Sequence, residues 1–159
     1  MQVAVSSIGN EKTSMHNNKM LYRILDIEVF MEGSCNCKEV KFVSSDEVKA
    51  IVNCHCTLCR KMNGSAFSTY VVVSDADFKL ISGNLKTVQV SENASKSICQ
   101  YCGTPIFNQN SKLGPIRILH LGSIDTDVIL EPAVNIYCDS QLNWVNNIAS
   151  LANLPQGVS

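Results

Sequence analysis

The chain has 159 residues, of which 45% are apolar, and its thirteen basic and fourteen acidic side chains give a net charge of −1. This length supports one globular domain that can bury about 70% of its unfolded surface. Lys and Arg are scattered, with no run longer than Arg60-Lys61, which argues against a nucleic-acid partner because such a surface needs a basic stripe. The longest apolar run, Tyr70 to Val73, is too short to span a membrane.

Residues 1–30 differ in composition from the rest of the chain. Ser6 to Asn18 is polar without periodicity and predicts a mobile extension, and Lys19 to Phe30 predicts a short helix or an extra strand. No apolar stretch in this segment has the length that a secretory signal needs. We therefore expect an extension over residues 1–30, a folded domain over residues 31–159, and a cytoplasmic location without a membrane partner.

From Gly33 onward, short alternating or β-branched segments separated by Gly and Asn predict a mainly β domain. The predicted strands are Val40–Ser44, Lys49–Asn53, Ala66–Val73, Phe78–Ile81, Lys86–Ser91, Pro105–Asn108 and Ile116–Ser123. Turns are predicted at glycines, which accept positive φ without steric cost. These are Gly64, Gly83, Gly103, Gly114 and Gly122. Two short helices are predicted, over Cys59–Asn63 and Ser140–Asn153, and the second ends before Pro155.

Seven of the eight cysteines fall into three tight groups. They are Cys35-Asn36-Cys37, Cys54-His55-Cys56-Thr57-Leu58-Cys59 and Cys99-Gln100-Tyr101-Cys102. Thiolates at one- and two-residue spacing can converge on a soft divalent ion, and zinc is the usual one. The alternative is a disulfide framework. Thiols stay reduced in the cytoplasm, however, where clustered cysteines more often hold metal.

The number of cysteines predicts two different sites. Two pairs far apart in sequence are the usual source of a four-cysteine structural zinc site, because each pair supplies two ligands from a rigid turn. Those pairs are Cys35 with Cys37 and Cys99 with Cys102. The remaining triplet, Cys54, Cys56 and Cys59, can hold a second zinc with one coordination position free. A free position is typical of a catalytic or ligand-binding metal.

Arg60 and Lys61 directly follow the triplet, and two interpretations stay open. They could offset the negative charge of a zinc trithiolate or contact a carboxylate of a bound thiol, or they could lie on a solvated turn. His55 stands between two predicted ligands. We predict that it does not bind metal, because neighbours in an extended segment point to opposite sides.

Other chemically active side chains are assigned structural roles. His120 is predicted to be a hydrogen-bonded, half-buried histidine in a strand, and Cys138 a free buried thiol. Tyr137 and Trp144 are predicted to be core or rim aromatics, although they could line a pocket near the triplet. The sequence shows no Ser/His/Asp set, phosphate-binding Gly loop or paired-carboxylate site.

The order and spacing of these motifs resemble the glutathione-dependent formaldehyde-activating enzyme family, which also includes centromere protein V. The matching stretches are Gly33–Cys37, Cys54–Lys61 with Gly64-Ser65, Cys99–Ile106, Leu121–Asp125 and Ser140–Trp144. The resemblance covers about residues 31 to 145. Lys38 stands where the family usually has Gly, and Ile98 replaces a frequent Phe, but neither departure removes a cysteine.

The resemblance implies a fold of twisted, mainly antiparallel β-sheets similar to that of a chaperone of Rab GTPases. It implies two zinc ions per chain, a structural one on Cys35, Cys37, Cys99 and Cys102 and a second on Cys54, Cys56 and Cys59. The implied activity is the formation of S-hydroxymethylglutathione from glutathione and formaldehyde, a carbon–sulfur bond reaction classed with the lyases. The expected partners are a small thiol and a small aldehyde, and a homodimer is left open.

Two functions of different classes follow from this sequence. The first is an enzyme or carrier that binds a glutathione-like thiol at an open three-cysteine zinc and adds it to an aldehyde. The alternative is a non-catalytic, zinc-stabilised domain that binds a protein. The fourth ligand of the triplet metal distinguishes them, since a water or thiol there favours the first function and a protein ligand favours the second.

Overall fold

The computed structural model describes residues 31–45, 47–125 and 129–157. The predicted helix or strand over Lys19–Phe30 lies outside the described residues, and the division of the chain at residue 30 stays a prediction. Within the described ranges the chain is mainly β, as its alternating segments predict. No helix in these ranges is long and apolar enough to cross a lipid bilayer.

In the described part of the chain, ten strands form two twisted sheets. The strands are β1 Met31–Ser34, β2 Lys41–Ser44, β3 Ala50–Cys54, β4 Ser68–Ser74, β5 Phe78–Ser82, β6 Leu85–Gln89, β7 Ala94–Cys99, β8 Pro105–Asn110, β9 Ile116–His120 and β10 Val134–Ile136. The small sheet has the order β1-β2-β5, and the large sheet has the order β10-β3-β4-β9-β8-β7-β6. All neighbouring strands are antiparallel except β10 and β3, which are parallel.

All seven predicted strands are present with shifted ends, whereas β1, β7 and β10 were not predicted. Their sequences, MEGS, ASKSIC and VNI, are polar or very short. They form strands because neighbouring strands supply the hydrogen-bond partners, and tertiary context routinely overrides such weak β-propensity. The prediction for Ile116–Ser123 is wrong at its end, because the strand stops at His120 and a 3-10 turn covers Leu121–Ser123.

Among the described residues one α-helix, α1, covers Thr57–Asn63, and it begins two residues before its predicted start. The predicted α-helix over Ser140–Asn153 is instead a 3-10 helix over Asn143–Ser150. Three Asn residues within that segment lower its α-helical propensity. Further 3-10 turns cover Asp75–Asp77, Ser111–Leu113 and Cys138–Ser140.

The hydrophobic core lies between the two sheets. Side chains of the small sheet and its turn, such as Phe42 and Val40, are buried together with Val71, Ile106 and Leu119 of the large sheet. All five have at most 1% of their surface exposed. Two predicted cysteine ligands, Cys35 and Cys99, belong to the same buried cluster. The predicted four-cysteine site is therefore attached directly to the hydrophobic core.

Several turns contain residues with left-handed backbone conformation. Gly64, Gly83, Gly103 and Gly114 have positive φ, as predicted, whereas Gly122 does not because it lies in a 3-10 turn. Lys38 also has a positive φ, 63°, which costs a non-glycine residue about 1 kcal/mol.

Candidate metal centres

Four cysteines at the ends of two hairpins form what we call the first cluster: Cys35, Cys37, Cys99 and Cys102. Their sulfur atoms all lie within 4.8 Å of one another. The Sγ atoms of Cys35 and Cys37 are 3.4 Å apart, and those of Cys37 and Cys99 are 3.8 Å apart. Tetrahedral zinc with bonds of about 2.3 Å places its sulfur ligands about 3.8 Å apart. The four donors therefore fit one zinc ion.

Backbone hydrogen bonds fix the two turns of the first cluster. In the β1–β2 turn, the Lys38 N–H donates to the Cys35 carbonyl at 2.9 Å, and the Val40 N–H donates to the Cys35 sulfur at 3.2 Å. In the β7–β8 turn, the Gly103 N–H donates to the Cys99 carbonyl at 3.0 Å. These hydrogen bonds hold both turns in the conformation that brings their thiols together.

The two turns of the first cluster also contact each other through Thr104. Its hydroxyl oxygen accepts the Asn36 N–H at 3.1 Å and lies 3.1 Å from the Cys102 sulfur. The hydrogen bond from this hydroxyl is the main reason why the pKa of the Cys102 thiol is lowered to about 5. A thiolate is the form that binds metal, so this turn favours the ligating state.

Cys54, Cys56 and Cys59 form the second cluster, and their sulfur atoms also lie within 4.8 Å of one another. Cys54 ends β3, Cys56 caps the N-terminus of α1, and Cys59 lies in the first turn of that helix. The Cys56 sulfur accepts the Cys59 N–H at 3.2 Å. Within the described ranges, no fourth Cys, His, Asp or Glu ligand atom joins this group. The set fits a zinc ion with three protein ligands and one position for another molecule.

A row of three buried polar side chains and one half-buried one crosses four neighbouring strands of the large sheet. Lys96 on β7 is paired with Asn108 on β8, and the Asn108 side-chain oxygen lies 3.2 Å from Nε2 of His120 on β9. His120 is in turn paired with Tyr70 on β4, and the two rings meet edge to face at 5.0 Å. We call these four residues the polar row.

Two residues connect the polar row to the second cluster. Tyr70 helps to lower the pKa of the Cys59 thiol, and its hydroxyl oxygen accepts an amide N–H of Asn63, at the end of α1, at 3.2 Å. Lys96 donates to the Met62 carbonyl at 3.0 Å and to the Asn63 side-chain oxygen. The polar row is thereby fixed to the helix that carries Cys59.

The polar row affects the protonation of its members and of the second cluster. The pKa of Cys59 is lowered to about 5, first by a hydrogen bond from Cys54; burial opposes this, and Tyr70 and Lys96 support it. Burial and, to a smaller extent, the charge of Lys96 lower the pKa of His120 to about 3. His120 is therefore neutral at pH 7. It is 7% exposed, hence fully buried rather than half-buried as predicted.

Three sequence-predicted residues lie beside the second cluster. The Arg60 guanidinium donates to the Ser140 carbonyl at 2.7 Å, which leaves its other N–H groups for further partners. Lys61 is exposed. His55 is buried, with Nε2 3.3 Å from the Asn135 side-chain oxygen, and its ring lies outside the group of sulfur atoms. A role of Arg60 and Lys61 toward a ligand stays a prediction.

The predictions for the C-terminal part of the domain need correction. Cys138 is exposed, not buried, and Tyr137 and Trp144 are 65% and 50% exposed, so neither is a core residue. These residues follow β10, a three-residue strand at the edge of the large sheet. Beyond that edge, the described part of the chain supplies no second layer that would bury them.

The polar row was missed at the sequence level. Tyr70 stands at the start of the apolar run Tyr70 to Val73, and that pattern predicts only a strand residue there. Lys96 lies between two serines in the unpredicted β7. Nothing local distinguishes a buried lysine from an exposed one, because its burial depends on strands and a helix that are distant in sequence.

Comparison with known proteins agrees with this geometry. The model of the family described as "Glutathione-dependent formaldehyde-activating enzyme" matches residues 30–140, which include all seven clustered cysteines. The chain belongs to this family. A protein of Halomonas elongata described as "Putative glutathione-dependent formaldehyde-activating enzyme" is 23% identical over 126 residues, and the match covers 74% of this chain and 80% of that protein.

A solved structure has a similar fold. The crystal structure of a Rhodobacter sphaeroides protein matches this family member with a TM-score of 0.55 at 18% sequence identity. The match covers 66% of this chain and 99% of the other. At this identity the likeness concerns the fold alone.

Proposed function

We propose that this family member binds one structural zinc at the first cluster and one reactive zinc at the second, and that it adds a glutathione-like thiol to formaldehyde or a similar small aldehyde. The reaction forms a carbon–sulfur bond and is classed with the lyases. The observation that carries the proposal is the unequal division of seven cysteines, four in the first cluster and three in the second. The reducing cytoplasm, the proposed location, would keep these thiols free to bind metal.

The donor set of the second cluster suits this chemistry. Zinc bound there would offer its fourth position to a thiol and favour loss of the thiol proton. In the addition, the thiolate sulfur bonds to the carbonyl carbon and the carbonyl oxygen takes up a proton. The proton that the thiol releases balances the one that the oxygen gains, so no oxidant or reductant is required.

The residues around the second cluster would position the two reactants. Cys56 caps α1 and Cys59 lies in its first turn, which is fixed by the hydrogen bond from the Cys59 N–H to the Cys56 sulfur. The Arg60 guanidinium donates to the Ser140 carbonyl, and Lys61 is exposed. In this proposal both cations would receive the carboxylates of a glutathione-like thiol.

Metal analysis and glutathione titration test the proposal. The wild type is expected to retain two zinc ions per chain and to bind glutathione. Cys56→Ser is expected to lose zinc at the second cluster and most of its glutathione affinity, whereas Cys138→Ser, which removes an exposed cysteine outside both clusters, should retain both. Unchanged glutathione affinity in Cys56→Ser would refute thiol binding at the second cluster.

The rate of product formation separates an enzyme from a carrier. Thiol and aldehyde also combine in water, so an enzyme must raise the exchange rate of S-hydroxymethylglutathione above the spontaneous rate. NMR exchange spectroscopy with and without the zinc-loaded protein measures this difference. A rate equal to the spontaneous one, together with retained glutathione binding, would show a thiol carrier.

A second candidate function, a zinc-stabilised domain that binds a protein, is supported by one observation. Several large apolar side chains near the C-terminus are exposed: Tyr137 by 65%, Trp144 by 50%, Leu151 by 57% and Leu154 by 63%. Exposed apolar surface is common at interaction sites. This candidate predicts that neither zinc ion binds glutathione, so the titration described above distinguishes the two functions.

A further inference from the structure

Lys96 is a buried cation without a carboxylate partner. It has 4% of its surface exposed, and its ammonium group donates to two neutral oxygen atoms, the Met62 carbonyl and the Asn63 side-chain oxygen. The ion pairs among the described residues are Lys38 with Asp125 and Arg117 with Asp75, so none involves Lys96. A buried ammonium costs several kcal/mol unless a counter-charge lies nearby.

The second cluster supplies a suitable anion. Met62 and Asn63 are three and four residues after Cys59 on α1, and residues at these spacings lie on the same face of a helix. The Asn63 side chain, and with it the ammonium group that it binds, therefore lies on the face of the helix that carries Cys59. The same side chain donates to the Tyr70 hydroxyl at 3.2 Å.

The charges balance when zinc is bound. Three thiolates and one Zn²⁺ ion have a net charge of −1, which the ammonium group cancels. The first cluster differs, because four thiolates with zinc carry −2 and two of its ligands, Cys37 and Cys102, are exposed. Water can screen the first site, whereas the second has a buried ligand, Cys54, and two half-buried ones and depends more on a protein cation.

We propose that Lys96 is the counter-charge of the second cluster, a positioning residue that stabilises the trithiolate and thereby its affinity for zinc. This inference rests on the proposed function, since it requires zinc at the second cluster. It extends that function by assigning a role to a residue that lies outside the cysteine motifs. The first cluster in the same molecule serves as an internal reference.

Three substitutions separate charge from hydrogen bonding. Lys96→Arg keeps the charge, Lys96→Gln keeps a hydrogen-bond donor without the charge, and Lys96→Met keeps neither. Lys86→Met, on the adjacent strand β6, removes an exposed lysine as the matched control. Zinc affinity of each site is measured by competition with a chelator, and Co²⁺ substitution reports each thiolate site by its sulfur-to-cobalt charge-transfer absorption.

We expect Lys96→Gln and Lys96→Met to lower the zinc affinity of the second cluster about tenfold or more, with the first cluster unchanged. Lys96→Arg and Lys86→Met should stay close to wild type. Equal affinities in Lys96→Gln and Lys96→Arg would overturn the inference, because hydrogen bonding alone would then account for Lys96. Loss of both zinc ions or of folding in every Lys96 variant would also overturn it, since Lys96 would then be required for the fold.

The wild-type measurement distinguishes this inference from the proposed function. If the wild type binds zinc at the first cluster alone, the proposed function fails, and the inference fails with it. If the wild type binds two zinc ions and the uncharged Lys96 variants hold both with wild-type affinity, the inference alone fails.

Discussion

Gly33 in β1 occupies a position where a side chain has no room. A Cβ atom there would lie 2.1 Å from Cζ of Phe42 and 2.5 Å from the carbonyl oxygen of Ser123, whereas non-bonded carbon atoms pack at about 3.5–4.0 Å. Phe42 is 1% exposed and its ring centroid lies 5.4 Å from that of Phe78. Because the ring is enclosed on all sides, it cannot move away without disturbing the core.

Gly33→Ala is therefore expected to lower the free energy of unfolding by about 2 kcal/mol, within the range of about 1–3 kcal/mol for overpacked cores. The backbone at Ser123 cannot move freely either, since the next residue, Ile124, forms a bridge to Gly33. Cys35 lies two residues further along the chain, so the strain should also weaken zinc binding at the first cluster.

Urea unfolding of the zinc-saturated protein measures this effect. The midpoint should fall while the slope stays constant, since the surface exposed on unfolding does not change. Gly122→Ala is the matched control, because a Cβ atom there has no neighbour within 4 Å, and its effect should stay within about 0.5 kcal/mol. Equal midpoints for the two variants would refute the steric reasoning.

Three other predictions concern protonation, metal binding and packing. Burial lowers the pKa of His120 from 6.5 to about 3, so the unfolded chain binds an extra proton between these values, and stability is lost as the pH falls below 6.5. From pH 7 to pH 5, the free energy of unfolding should fall faster in the wild type than in His120→Asn. The two slopes should differ by up to about 1.4 kcal/mol per pH unit, and parallel curves would contradict this. Cys102→Ser should lose one zinc ion and at least about 3 kcal/mol of stability. Cys138→Ser, the control, should lose neither, although both cysteines are exposed. Equal losses in the two variants, measured by metal analysis and urea unfolding, would contradict metal binding at the first cluster. Arg117 lies over two phenylalanine rings, with its guanidinium carbon 5.2 and 4.3 Å from their centroids. Arg117→Met should therefore lower the free energy of unfolding, measured with urea, by about 1 kcal/mol. No difference from the exposed-lysine variant Lys112→Met would contradict this stacking.

The chemical content of the site could be predicted from the sequence. A cysteine's ability to bind zinc is a property of its own side chain, and the one- and two-residue spacings bring neighbouring thiols together through local geometry alone. Alternating and β-branched segments predict the longer strands for a similar reason, since side-chain alternation is local to each strand. The mainly β class and the two cysteine sites could therefore be predicted from the sequence.

The surroundings of the clusters depend on the tertiary structure. Lys96, Asn108, His120 and Tyr70 line up because four strands, β7, β8, β9 and β4, pair side by side, and no local pattern encodes which lysine is buried. The exposure of Cys138 and Trp144 likewise reflects the short edge strand before them, not their own hydrophobicity. Residue type and spacing thus determined which atoms can bind metal, whereas strand pairing decided which charges and hydrogen-bond donors face them, because burial and electrostatics are set by contacts between distant segments.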